Sequence, residues 1–149
     1  MEIGSKAPAV LGINEKGETI GLDKFAGKKL VLYFYPKDNT PGCTQEACSL
    51  RDGYDELLAH GYEVVGVSPD SATSHQRFIA KHSLPFTLIA DTDKTLAEAF
   101  GVWGEKKMCG RTYMGIHRTT FVIDENGVIE RILGPKQVKV KEHARQIIG

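Results

Sequence analysis

The chain has 149 residues, and its 19 lysines and arginines balance 19 aspartates and glutamates. That length suits a single domain over residues 1–149 with a real core, and the zero net charge gives no reason to expect nucleic acid or a membrane as partner. No apolar run reaches the roughly 20 residues of a membrane helix, and Met1-Glu2-Ile3-Gly4-Ser5-Lys6 lacks the pattern of a signal peptide, so a soluble cytoplasmic protein is expected.

In chain order, Val10 to Asn14 and Glu18 to Leu22 flank Glu15-Lys16-Gly17 and predict an N-terminal β-hairpin. Leu30 to Tyr35 reads as the first buried strand. A helix is expected from about Pro41 to His60, then a second buried strand from Tyr62 to Pro69. Ser71 to Ser83 reads as a helix opened by a serine cap. Pro85 to Ala90 is a short strand, and Asp93 to Phe100 a helix followed by Gly101. Gly104 to Ile116 reads as a polar, glycine-containing loop. Thr119 to Asp124 and Val128 to Leu133 flank Glu125-Asn126-Gly127, a strong hairpin signal. Val138 to Ile148 closes the chain as a helix. This order predicts an α/β fold, a central mixed sheet flanked by helices, and fits a thioredoxin-like core with an N-terminal extension.

The most informative stretch is Pro36-Lys37-Asp38-Asn39-Thr40-Pro41-Gly42-Cys43-Thr44-Gln45-Glu46-Ala47-Cys48. It joins a buried strand to a helix, and a helix N-terminus favours thiolate over thiol through unpaired N–H groups and the positive end of its dipole. With Thr40 as N-cap and Pro41 at N1, Cys43 falls in the first turn. At about 100° per residue, Cys43, Ala47, Leu50, Tyr54, Leu57 and Leu58 share one stripe. Cys48 turns about 140° away, among Asp52, Asp55 and Glu56. Five residues of helix separate the two Cα atoms by roughly 8.6 Å, beyond the ~7 Å limit for a disulfide. Pairing would therefore require the first turn to unwind. Cysteines number three, so at least one has no intramolecular partner; nothing around Cys109 specifies chemistry.

Pro36-x-x-x-Thr40-x-x-Cys43 resembles the active-site motif of the peroxiredoxins, and the longer string from Phe34 to Thr44 resembles their bacterioferritin comigratory protein, or PrxQ, subfamily. Cys48 matches that subfamily's resolving position. The segment from Gly110 to Asp124 is similar to the one carrying the active-site arginine, here Arg118. Lys107-Met108-Cys109-Gly110 departs by carrying a cysteine. The resemblance implies a thiol peroxidase acting on hydrogen peroxide and organic hydroperoxides in antioxidant defence and redox homeostasis, with Cys43 peroxidatic and Cys48 resolving. It implies Thr40, Arg118, Gly42 and the Cys43 backbone as peroxide-binding groups, and Pro36 as the wall that shields the thiolate. It further implies a Cys43–Cys48 disulfide reduced by thioredoxin or a glutaredoxin-like donor, and a monomer. No haem, flavin or metal cofactor is needed, because sulfur carries both electrons.

Two other readings compete. A thioredoxin-like disulfide oxidoreductase would want Cys-x-x-Cys, which is lacking. A metal-binding or redox-sensing module would use Cys43, Cys48, Cys109 and a histidine. His75, His82 and His117 read as surface or packing residues.

Overall fold

The computed structural model describes residues 1–149. The chain opens with β1 (Val10–Ile13) and β2 (Thr19–Gly21), an antiparallel hairpin. It continues through β3 (Lys29–Phe34), α1 (Pro41–Asp52), α2 (Tyr54–Ala59), β4 (Tyr62–Ser68), α3 (Ala72–His82), β5 (Thr87–Ala90) and α4 (Thr95–Ala99). It ends with β6 (Trp103–Met108), β7 (Arg111–Ile116), β8 (Thr119–Ile123), β9 (Ile129–Leu133) and α5 (His143–Ile148). Five strands form a mixed sheet in the order β5-β4-β3-β8-β9; β3 runs parallel to β4 and antiparallel to β8.

The central strand explains its own sequence. Leu30, Leu32 and Phe34 enter one core, with Leu96, Phe100 and Phe121. Val31 and Tyr33 enter the other, with Ala47 and Leu50 of α1, Phe78 of α3 and Ile147 of α5. A strand covered on both faces has no polar side, so it reads as an unbroken apolar run. No helix is long and apolar enough to cross a membrane.

Four expectations need correction. The helix from Pro41 to His60 is two helices, broken at Gly53. A Cβ at Gly53 would lie 2.5 Å from Ala144 Cβ of α5, so the missing side chain lets the last helix come close. The loop expected from Gly104 to Ile116 is the β6–β7 hairpin. Its two-residue turn, Cys109 (φ 52°) and Gly110 (φ 78°), needs positive φ twice. Cysteine is an unusual residue there, and the mostly exposed strands carry no apolar alternation, so neither signal was visible. The closing helix from Val138 shortens to α5, behind a 3-10 turn at Val140–Glu142. Finally, α4 starts at Thr95 rather than Asp93. Two carboxylates serve its first turn: Asp91 accepts from Leu96 N at 3.0 Å and Ala97 N at 2.9 Å, and Asp93 accepts from Thr95 N at 3.2 Å.

Candidate active site

The site lies where β3 passes into α1. Tyr35 N donates to Val67 O at 3.0 Å, which prolongs the sheet by one residue; Pro36 to Thr40 then form the loop. Asn39 holds a left-handed conformation (φ 63°), which asparagine tolerates better than most residues. Thr40 is the N-cap residue with extended backbone, and Pro41 follows at N1. Its side chain does not cap the helix: Thr40 Oγ1 donates to Lys37 O at 2.9 Å. The hydroxyl bond therefore closes the loop, and its oxygen keeps acceptor capacity for an outside donor. The first of these helix bonds runs from Thr44 N to Thr40 O, so the N–H groups of Gly42 and Cys43 precede the ladder.

Cys43 is 1% exposed and packs with Val31, Tyr33, Tyr35 and Ala47. Arg118, in the short connection between β7 and β8, donates from Nη2 to Cys43 Sγ at 3.2 Å and from Nη1 to Glu46 Oε1 at 2.5 Å. One guanidinium fork thus spans the thiol and a carboxyl, which a lysine could not do in the same geometry. Burial opposes the charge on Arg118, but Glu46 and Cys43 overcome it and hold the guanidinium firmly protonated. Glu46 is fully buried, and burial pushes its carboxyl up to about 7 against the pull of Arg118. Lys106 of β6 donates to Ile116 O at 2.9 Å; burial, then Arg118, push its ammonium down.

Sequence reasoning missed Glu46. The signal was present: an acid three residues after Cys43 falls at the edge of the apolar stripe of α1, where a buried charge needs a partner. It also missed the anchor of the loop. Asp38 accepts from Tyr35 Oη at 2.6 Å and Ser74 Oγ at 2.8 Å, and meets His75 Nδ1 at 2.7 Å. Its own N–H donates to Asp70 Oδ2 at 2.8 Å. Burial pushes the Asp38 carboxyl up, but the bonds from His75 and Tyr35 outweigh it and hold the group below its ordinary range. His75, expected at the surface or in packing, is fully buried and reaches Ile89 O through Nε2 at 2.9 Å. These bonds tie the loop to α3, β4 and β5.

The other singled-out residues sit as follows. Pro36 is half-buried at the start of the loop. Gly42 leaves space toward Arg118, whose Nη2 would lie 3.4 Å from a Cβ there. Cys48 is half-buried rather than on an open polar face, with Sγ 3.9 Å from His82 Nδ1. Cys109 is exposed at the tip of the β6–β7 hairpin. All three cysteines are free thiols. The one cluster of three metal-capable side chains is Asp38, Asp70 and His75; no cysteine joins it.

A helix N-terminus and a neighbouring cation are surroundings in which thiols act as nucleophiles, and Cys43 has both. The AhpC/TSA family profile matches residues 3–132. Peroxiredoxin Bcp of Bacillus subtilis is 48% identical over 148 residues, covering 99% of this chain and 93% of that protein. The bacterioferritin comigratory protein of Xanthomonas campestris superposes with a TM-score of 0.87 at 36% identity, covering 99% of this chain and 95% of that one. PrxQ of Xylella fastidiosa gives 0.89 at 36% identity, covering 99% and 93%. With that likeness over nearly the whole chain, and with the fold and the buried thiol in place, the chain belongs to the AhpC/TSA family as a peroxiredoxin of the Bcp/PrxQ group, a thiol peroxidase on a thioredoxin-like fold.

Proposed function

We propose that this single-domain peroxidase reduces hydrogen peroxide and organic hydroperoxides through a sulfenic acid on Cys43 and a Cys43–Cys48 disulfide, recycled by thioredoxin. The Arg118 contact to Cys43 Sγ at 3.2 Å carries the proposal. The Cys43 thiolate attacks one peroxide oxygen, a new S–O bond forms as the O–O bond breaks, and the departing oxygen leaves protonated as water or alcohol. Arg118 and the N–H groups of Gly42 and Cys43 stabilise the charge that shifts onto oxygen. Thr40 accepts a hydrogen bond from the peroxide, and Pro36 walls the sulfur from water. The Xanthomonas relative is described as reducing alkyl peroxides, which supports including organic substrates.

In the second step the Cys48 thiol attacks the sulfenic sulfur, water leaves, and the disulfide forms. Both cysteines lie within the continuous helix α1, so at roughly 8.6 Å between Cα atoms the helix must open first. A dithiol donor such as thioredoxin supplies two electrons to restore both thiols. The protein would work as a cytoplasmic monomer in antioxidant defence. The test is peroxide consumption coupled to thioredoxin, by wild type, Cys43→Ser and Cys48→Ser. Loss in Cys43→Ser is expected, with one turnover but no recycling in Cys48→Ser. Undiminished turnover by Cys43→Ser would overturn the assignment.

A further inference from the structure

Behind Arg118 lies a second buried group with no part in the chemistry above. Glu46 uses Oε1 for Arg118, but its Oε2 is sealed from solvent and has no hydrogen-bond partner. His143 Nε2 of α5 lies 3.7 Å from it, too long for a hydrogen bond. His143 is also fully buried.

The proton on His143 can be placed from its neighbours. Gln146 Nε2 donates to Gln137 O at 2.7 Å, and Gln146 Oε1 accepts from Lys139 N at 2.8 Å. The amide orientation is thereby fixed, and His143 Nδ1 must donate to Oε1 at 2.9 Å. In the neutral ring, Nε2 then carries the lone pair and accepts from Thr120 Oγ1 at 2.7 Å. That leaves nothing to donate to Glu46 Oε2. An ionised Glu46 would therefore keep one orphaned, dehydrated oxygen, which is costly. One added proton on the pair removes the dehydrated charge, which is the larger part of that cost.

We propose that Glu46 and His143 form a one-proton unit behind Arg118, and that its charge state sets how much of the guanidinium charge reaches Cys43. With the proton present, Glu46 is neutral and the full cation faces the sulfur. With the proton lost, Glu46 offsets Arg118 and thiolate stabilisation weakens. Both residues act through Arg118 and are positioning residues. Burial pushes Glu46 up to about 7 and pushes His143 down, so the proton rests on Glu46. The other groups facing the unit are Cys43 of α1, Tyr33 of β3, Arg118, Lys106 of β6 and Arg131 of β9. Tyr33 Oη has no partner, and burial, then Glu46, hold it well above its ordinary range, so it stays neutral. Arg131 is engaged with the carbonyls of Gln146 and Ile147.

The inference rests on Cys43 being the attacking thiol, so the experiment reads both. The rate of Cys43 oxidation by hydrogen peroxide is measured in single turnover from roughly pH 5 to 9, with mass spectrometry locating the oxidised cysteine. For wild type, a several-fold decline in this rate near pH 7 is expected. Glu46→Gln should lack that decline. His143→Gln, whose amide can donate to Oε2, should move it to lower pH. Thr120→Val, which frees the Nε2 lone pair for a Glu46 proton, should move it to higher pH and guards against a variant that fails to fold. Infrared difference spectra should show a protonated carboxyl in wild type at pH 6 that is missing in Glu46→Gln. Superimposable pH profiles for wild type, His143→Gln and Thr120→Val, all oxidised at Cys43, would overturn the proton unit alone. Oxidation elsewhere than Cys43 would overturn the underlying assignment as well.

Discussion

The two cysteines of α1 sit in one helix but in unlike surroundings. Cys43 is buried at the first turn, in contact with Arg118, which is itself bonded to Glu46. Cys48, little more than a turn later, is half-buried and has one loose contact, Sγ to His82 Nδ1 at 3.9 Å. Around it, Arg51 donates to His82 O at 2.9 Å and so ties α1 to α3. A charge network touches one sulfur, while no comparable network holds the other, and the intact helix keeps the pair apart.

Removing the prepared thiol should have the largest effect: Cys43→Ser is expected to abolish peroxide turnover in a coupled assay. Arg118→Ala removes the cation from the sulfur and leaves Glu46 without its donor. It should slow Cys43 oxidation by roughly 10²–10³-fold, measured by stopped-flow single turnover; a wild-type rate would remove Arg118 from the chemistry.

Glu46 gives a pH test of the same end of the helix. Its folded value, about 7, lies above the ordinary 4.5, so the folded state holds the proton more tightly than the unfolded chain. Its contribution is therefore fully present below about pH 4.5 and is lost as pH rises to 7, on the order of 3 kcal/mol. Urea unfolding at several pH values should show this decline in wild type and a flatter course in Glu46→Gln; equal slopes would contradict it.

At the far end of α1, Gly53→Ala would drive a Cβ into Ala144 and should cost about 1–3 kcal/mol by overpacking, read by thermal or urea unfolding. The smallest effect belongs to Cys109→Ser. This thiol is exposed at a hairpin tip, and its removal should leave turnover and recycling unchanged; lost recycling would make Cys109 the resolving thiol.

How much of this was legible depends on what each residue answers to. The core strand Leu30–Tyr35 and the Thr40-Pro41 helix start were readable because local rules decide them: burial on both faces and a fixed φ at N1. The position of Cys43 followed from the same start. The Glu46–Arg118 pair and the Asp38–His75 anchor were not readable, because their partners lie 72 and 37 residues apart in the chain. The need for glycine at 53 was hidden for a similar reason, since the atom that leaves no room for a side chain there is Ala144 of the last helix. The β6–β7 hairpin escaped because its exposed strands carry no alternation and its turn uses Cys-Gly.

On the proposed cycle, Cys43 attacks and Cys48 resolves after α1 opens. Mass spectrometry of peptides after one equivalent of hydrogen peroxide tests it most directly. A Cys43–Cys48 disulfide, with Cys109 still reduced, is the expected product. A disulfide involving Cys109, or a Cys43 sulfenic acid that persists beside a reduced Cys48, would contradict it.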